Sequence, residues 1–270
     1  MIHWNPDVVA FSIGPLDVRW YSLCWVLALL SGYLVVHRIY KRSGVSDEKF
    51  EPLFMYCFLG ILIGARLGHC LFYEPGYYLS HPLQMILPMR EIPGVGWKFT
   101  GYEGLASHGG TLGLMCAVWL YCRKMDIKVW WLLDVMGVTA PICAMFIRLG
   151  NLMNSEIIGR PTDVPWAFVF ERVDMQPRHP GQLYEAIAYL VIFLLGLCIY
   201  KWAKRVPLGS HFFFGWCIAT IFTARILIEY TKEVQEAFEE GMLFNMGQLL
   251  SVPFVILGVY CMMKNKRELP

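Results

Sequence analysis

The sequence predicts an all-α polytopic membrane protein: seven transmembrane helices, N-terminus outside, C-terminus cytoplasmic, with a small extracytoplasmic head. Composition, the spacing of apolar runs and the placement of Lys and Arg predict it. Of 270 residues, 57% are hydrophobic and only 16% charged. With a mean hydropathy of +0.47, the chain is too apolar for a soluble globule of this length.

The apolar runs fall at about 18–37, 52–73, 104–122, 129–147, 182–200, 211–229 and 246–263, each near the ~20 residues that a spanning helix needs. The first is not expected to be a removed signal, because Met1–Leu16 lacks a basic region and carries Asp7. Basic residues collect in alternate connections: Arg38, Lys41, Arg42 and Lys49; Arg123, Lys124 and Lys128; Lys201, Lys204 and Arg205; and Lys264, Lys266 and Arg267 at the end. That side is cytoplasmic, which requires an odd number of spans.

The opposite face holds the longer segments, about 74–103 and 148–181, so 1–270 reads as one integral membrane domain with an outer arm and head. All nine cysteines lie in or beside spans, and no CxxC pattern occurs. They read as packing residues, so neither a disulfide framework, a metal nor a cofactor is expected, and no nucleic-acid partner either.

Charge inside a membrane is costly and marks function by default. Arg66 in GARLGHC lies eight residues, about 12 Å, below Glu74 at the outer end of span two. His108 of SHGG opens span three, and Arg148 closes span four where RLGNLMNSE begins. RHPGQLYE brings His179, Gln182, Tyr184 and Glu185 to the start of span five. TARILIEY places Arg225 and Glu229 one turn apart, and RWYS gives Tyr21. Six helices thus carry polar groups to the same outer half of the bilayer.

Each residue also has a structural reading. Arg225 and Glu229 fit an intrahelical pair, the glycines fit close helix approach, and Tyr21 with Trp20 and Trp25 fits an interfacial belt. Asp134, near the inner end of span four, fits a partner for freed backbone or a nearby charge. What argues for a site is charge: Arg66, Arg148 and Arg225 have too few intramembrane carboxylates beside them, and an anion would supply the balance. Guanidinium matches phosphate in a two-pronged geometry, and the phosphates at this depth belong to phospholipid head groups.

RLGNLMNSEIIGR, with SHGG before it and RHPGQLYE and RILIEY after it, resembles the bacterial prolipoprotein diacylglyceryl transferase family. The resemblance runs in order from FSIGPLDVRWYS to MGQLLSVP. Ile147, Leu152 and Ser155 stand where the family pattern has glycine, phenylalanine and glycine, while Arg148, Asn151, Asn154 and Glu156 keep it. Ile221 stands where some members carry a tyrosine.

The resemblance implies a bacterial inner-membrane enzyme with its active site toward the outer leaflet. It would transfer the diacylglyceryl group of phosphatidylglycerol to the lipobox cysteine thiol of a prolipoprotein, forming a thioether and releasing glycerol phosphate. His108 is then the candidate base for a thiol of ordinary pKa about 8.5. Arg148 and Arg225, with Arg66 next, would stabilise the departing phosphate. Asn151, Asn154 and Glu156 are expected to hold the head-group glycerol or the arginines, Glu229 to orient Arg225, and Tyr21, Gln182 and Tyr184 to contact the head group. A phospholipid-binding scaffold or a transporter without transferase chemistry is the alternative. A protease dyad of Ser107 and His108 is not, since adjacent helical residues do not face each other.

Overall fold

The computed structural model describes residues 1–87, 89–92, 96–99, 104–203, 206–233 and 244–264. Of the basic residues that argue sidedness, Lys204, Arg205, Lys266 and Arg267 lie outside the described residues. The helices are α1 (Trp20–Arg42), α2 (Asp47–Phe72), α3 (Pro75–Ser80), α4 (Leu83–Ile86), α5 (Ser107–Met125), α6 (Val129–Asn154), α7 (Gly181–Trp202), α8 (Phe212–Glu229) and α9 (Met246–Lys264). Each of the seven apolar runs is helical.

Six of these helices, α1, α2, α6, α7, α8 and α9, are long and apolar enough to cross a membrane. The seventh run forms α5, 19 residues long, which opens on Ser107, His108, Gly109 and Gly110 and closes on Arg123 and Lys124. Those polar and glycine ends dilute its apolar character.

The chain departs from the all-α expectation, because the segments between long helices also form short strands. β1 (Ile2–Trp4), β6 (Phe168–Phe170) and β7 (Pro177–Arg178) make a three-stranded sheet in the order β1-β6-β7. β2 (Val9–Ile13) pairs antiparallel with β3 (Leu16–Arg19), and β4 (Met89–Ile92) with β5 (Gly96–Phe99). Strands of two to five residues leave no trace in a search for membrane-length runs.

The chain divides into two compact units, residues 40–129 and residues 1–39 with 130–270. In the first, α2 packs along α5 on a glycine seam. A Cβ built on Gly68 would lie 2.8 Å from the Cα of Gly109, and one on Gly64 would overlap the Gly109 carbonyl, so both helix backbones meet directly.

In the second unit, α6, α7 and α8 share a core of Ile142, Met145, Ala186, Tyr189, Ile192 and Phe193, against which Trp216, Ile221 and Ala224 pack. Asp134 is fully buried and accepts backbone N–H bonds from Gly209 (2.9 Å), His211 (3.1 Å) and Phe214 (2.9 Å). It satisfies the free donors at the start of α8, the structural role its sequence position suggested. Beyond the helices, Leu152 packs with Phe168 and Phe170 and the half-buried Trp4, whose indole N–H donates to the Leu152 carbonyl at 3.0 Å. Burying Leu152 contributes about 2 kcal/mol, so a leucine serves where the family pattern has phenylalanine.

Candidate active site

The opening stretch of the central motif is helical for longer than the sequence indicated: α6 runs through Asn154 rather than surfacing at Arg148. Its end is built by backbone geometry. Ser155 adopts φ +55°, its N–H donates to the Leu152 carbonyl (3.1 Å), and the Glu156 N–H donates to the Asn151 carbonyl (3.0 Å). This is the Schellman arrangement, whose left-handed residue is usually glycine. Ser155 therefore occupies a position where the family's glycine has a physical reason. Ile157 follows at φ +57°, an unusual conformation for a β-branched residue.

That sharp end folds Glu156 back onto the last two turns of α6. Asn151 Nδ2 donates to Glu156 Oε2 at 3.1 Å, and Asn154 Nδ2 to Glu156 Oε1 at 3.0 Å. Gln182, fully buried at the start of α7, donates to the Glu156 carbonyl at 2.9 Å. Asn151 Oδ1 in turn accepts from Arg148 Nη1 at 3.2 Å. The residues Asn151, Asn154, Glu156 and Gln182 thus form one hydrogen-bonded wall beside Arg148.

Across this wall runs a chain of charges. Arg148 Nε lies 2.6 Å from Glu185 Oε2, and Glu185 Oε1 lies 2.9 Å from Lys232 Nζ. Lys232 Nζ is also 3.0 Å from Glu229 Oε2, and Glu229 Oε1 is 3.5 Å from Asn245 Nδ2. Glu185 is 0% exposed and Lys232 5%, so these are desolvated contacts. Their Coulomb attraction far exceeds that of a surface pair.

Two expectations change here. Arg148 does not lack a carboxylate, since Glu185 pairs with it, and Glu229 does not orient Arg225, since its oxygens face Lys232 and Asn245. The Nε of Arg225 is buried and has no hydrogen-bond partner among the described residues. Gln182 Oε1 and Asn154 Oδ1 are likewise buried without a donor, because both amides spend their N–H groups on Glu156. Among the described residues these are one buried donor and two buried acceptors left without partners, and unsatisfied buried polar atoms call for a physical reason. Along this chain of contacts the cations Arg148 and Lys232 meet the carboxylates Glu185 and Glu229.

Tyr21 lies on α1 against Gly150, where an added Cβ would come 2.9 Å from the Tyr21 ring. It therefore borders α6 within a turn of Arg148. Tyr184, in the first turn of α7, ties that helix to the head: its hydroxyl accepts from Trp166 Nε1 at 2.8 Å and lies 3.0 Å from His179 Nδ1. Burial and the nearby Arg160 charge hold His179 below the ordinary imidazole range. In the same head, Arg178 bonds Asp174, whose carboxyl is held below the usual range chiefly by that hydrogen bond.

In the other unit, Arg66 is buried and donates from Nη2 to the Gln84 carbonyl (2.7 Å) and from Nε to the Met85 carbonyl (3.2 Å), with its guanidinium 4.8 Å over the Tyr78 ring. It fastens α3 and α4 to α2. His108 is exposed on the first turn of α5, next to the Gly109 seam. The Ala106 N–H bonds the Ala65 carbonyl at 2.9 Å, so Arg66 and His108 occupy the same end of the α2–α5 pair.

Glu185 was placed near the outer surface from sequence but given no role, and Lys232 was missed. Lys232 lies three residues beyond Glu229, the last residue of α8, and a search confined to spans stops short of it. The spacing Glu229 to Lys232, one helical turn, is the signal that could have found it.

Together, the long apolar helices and the buried charge cluster define a multi-pass membrane protein with an ionic site built between its helices. The model of the family described as prolipoprotein diacylglyceryl transferase matches residues 8–264. Relatives named phosphatidylglycerol–prolipoprotein diacylglyceryl transferase include those of Bacteroides fragilis, 58% identical over 97% of this chain and 94% of the relative, and Tolumonas auensis, 43% identical over 99% of each. A third, from Porphyromonas gingivalis, is 39% identical over 97% of this chain and 94% of its own. The chain belongs to the prolipoprotein diacylglyceryl transferase family.

Proposed function

We propose that this chain transfers the diacylglyceryl group of phosphatidylglycerol to the lipobox cysteine thiol of a prolipoprotein. The thiol sulfur attacks the glyceryl carbon bearing the phosphate, the carbon–oxygen bond breaks, and its electron pair leaves with glycerol phosphate. The thiol proton passes to a base and the product is a thioether. The observation that carries this reading is the wired cluster around Arg148, with orphan polar atoms on Arg225, Gln182 and Asn154, in a chain with relatives that carry that name.

The leaving phosphate gains a negative charge as it departs, so fixed cations in a dry site favour the transition state over the bound lipid. Arg148 and Arg225 take that role. Asn151 and Glu156 hold Arg148 in place, Asn154 and Gln182 offer acceptors to the head-group hydroxyls, and Glu229 supports the cluster through Lys232. Tyr21 and Tyr184 flank the lipid, Arg66 braces the α3–α4 arm, and His108 is the base.

The reading includes α5 as a seventh span, an outer N-terminus and a cytoplasmic C-terminus in the bacterial inner membrane, with the cluster toward the outer leaflet. The sidedness of Lys and Arg supports that orientation.

The test is direct: purified protein, phosphatidylglycerol and a lipobox peptide are incubated together. The peptide should gain one diacylglyceryl mass on its cysteine while glycerol phosphate is released. Lipid binding with neither product would leave a scaffold and refute the enzyme.

A further inference from the structure

Glu185 and Glu229 are two carboxylates in one desolvated cluster, and among the described residues Lys232 is the cation paired with both. Its ammonium lies 2.9 Å from one and 3.0 Å from the other with 5% of its side chain exposed. Its backbone is fixed as well, because its N–H donates to the Glu229 carbonyl (3.1 Å) and the preceding Thr231 carbonyl accepts from the Arg160 N–H (2.9 Å). The lysine therefore joins the ends of α7 and α8 to the head.

The division of Glu185 matters most. One oxygen faces Arg148 and the other faces Lys232, so the carboxylate is shared between two cations. Without the lysine, Glu185 and Glu229 would leave one buried negative charge unbalanced, and Glu185 would neutralise Arg148 alone. An arginine neutralised in this way does less for a phosphate that is acquiring charge.

We infer that Lys232 is a positioning residue for the transfer: by sharing Glu185 and neutralising Glu229 it keeps the positive charge of Arg148 available to the leaving phosphate. This rests on the proposed transferase reading. The reading fails by itself if the wild-type protein makes no thioether product; Lys232 is tested only against a wild type that does.

The experiment measures kcat and KM for phosphatidylglycerol, with thermal unfolding of the same detergent-purified samples, for Lys232→Met, Lys232→Gln, Lys232→Arg and the double variant Lys232→Met/Glu229→Gln. Because the lysine acts on charge that develops in the transition state, Lys232→Met and Lys232→Gln should lose about 10–100-fold in kcat with little change in KM. Lys232→Arg, which restores the cation, should stay within about threefold of wild type. Removing one negative charge in the double variant should recover about tenfold over Lys232→Met, a coupling that independent structural losses would not produce. Additive losses in the double variant, a Lys232→Arg protein as slow as Lys232→Gln, or unchanged kcat in both neutral variants would overturn the inference. If Lys232→Met does not yield folded protein, the comparison of Lys232→Gln with Lys232→Arg decides.

Discussion

Glu185→Gln offers the sharpest test of the charge cluster. The carboxylate is 0% exposed and spans two cations, 2.6 Å to Arg148 Nε and 2.9 Å to Lys232 Nζ. Glutamine keeps the volume and one acceptor, but it removes the charge and turns its amide N–H groups toward one of the cations. Taking one partner from a buried ionic contact typically costs about 3–5 kcal/mol, since the charge left behind remains desolvated. For a chain of this size that corresponds to a fall in Tm on the order of 10 °C. Glu185→Asp separates charge from reach: it keeps the charge but is one methylene shorter, about 1.5 Å. It should recover part of the stability, since it can hold one cation but not bridge both. The assay is thermal unfolding of detergent-purified protein followed by near-ultraviolet circular dichroism, with turnover measured on the same samples. A Glu185→Gln protein that melts within 2 °C of wild type, a bound set well below the ~10 °C expected, would refute the claim that this carboxylate organises the site.

Other expectations follow from the same geometry. Arg148→Ala and Arg225→Ala should each lower kcat by about 10²–10³; Arg148→Ala should also destabilise, because it strands Glu185, whereas Arg225→Ala strands no described Nε partner. Near-normal turnover in both would remove the arginines from the mechanism. His108→Gln should depress turnover most where the substrate thiol is protonated, so an unchanged rate between pH 6 and 9, chosen to bracket reference values of about 6.5 and 8.5, would reassign the base. Ser155→Gly should raise stability by about 0.5–1 kcal/mol, read as a Tm increase, because glycine adopts the left-handed φ without the Cβ clash. In the head, His179 has its folded pKa pushed below its unfolded value, so the stability it contributes is fully present above about 6.5 and is lost as pH falls through the folded value. His179→Asn should flatten the decline in Tm between pH 7 and 5, while the Asp174–Arg178 contribution, also from a lowered pKa, is lost only as pH falls below about 4.

The long helices were legible because a spanning segment is written in consecutive apolar residues. All seven runs became helices, from Trp20–Arg42 to Met246–Lys264. The small sheets were not legible: β1 pairs with β6 across more than 160 residues, and three residues of alternation carry too little signal to find that partner. The end of α6 was misplaced for a related reason. Asn151 and Asn154 look like the polar start of a loop, but the Schellman turn at Ser155 lets the helix continue to Asn154 before the chain reverses.

The arginines illustrate the limit more sharply. Sequence puts Arg148 and Arg225 at helix ends with few carboxylates in view; Arg148 faces Glu185, while Arg225 Nε has no hydrogen-bond partner among the described residues. The counter-charge on Glu185 lies in RHPGQLYE, a motif already in view, but whether a carboxylate on one helix reaches an arginine on another depends on helix rotation, which no one-dimensional pattern fixes. The same holds for Lys232, whose two carboxylates come from different helices, α7 and α8. A cluster balanced in this way can present charge to an anionic head group without the full cost of burying an unpaired cation. In that arrangement the arginine's availability is set by how its own carboxylate is shared, and the residue that shares it need not touch the lipid.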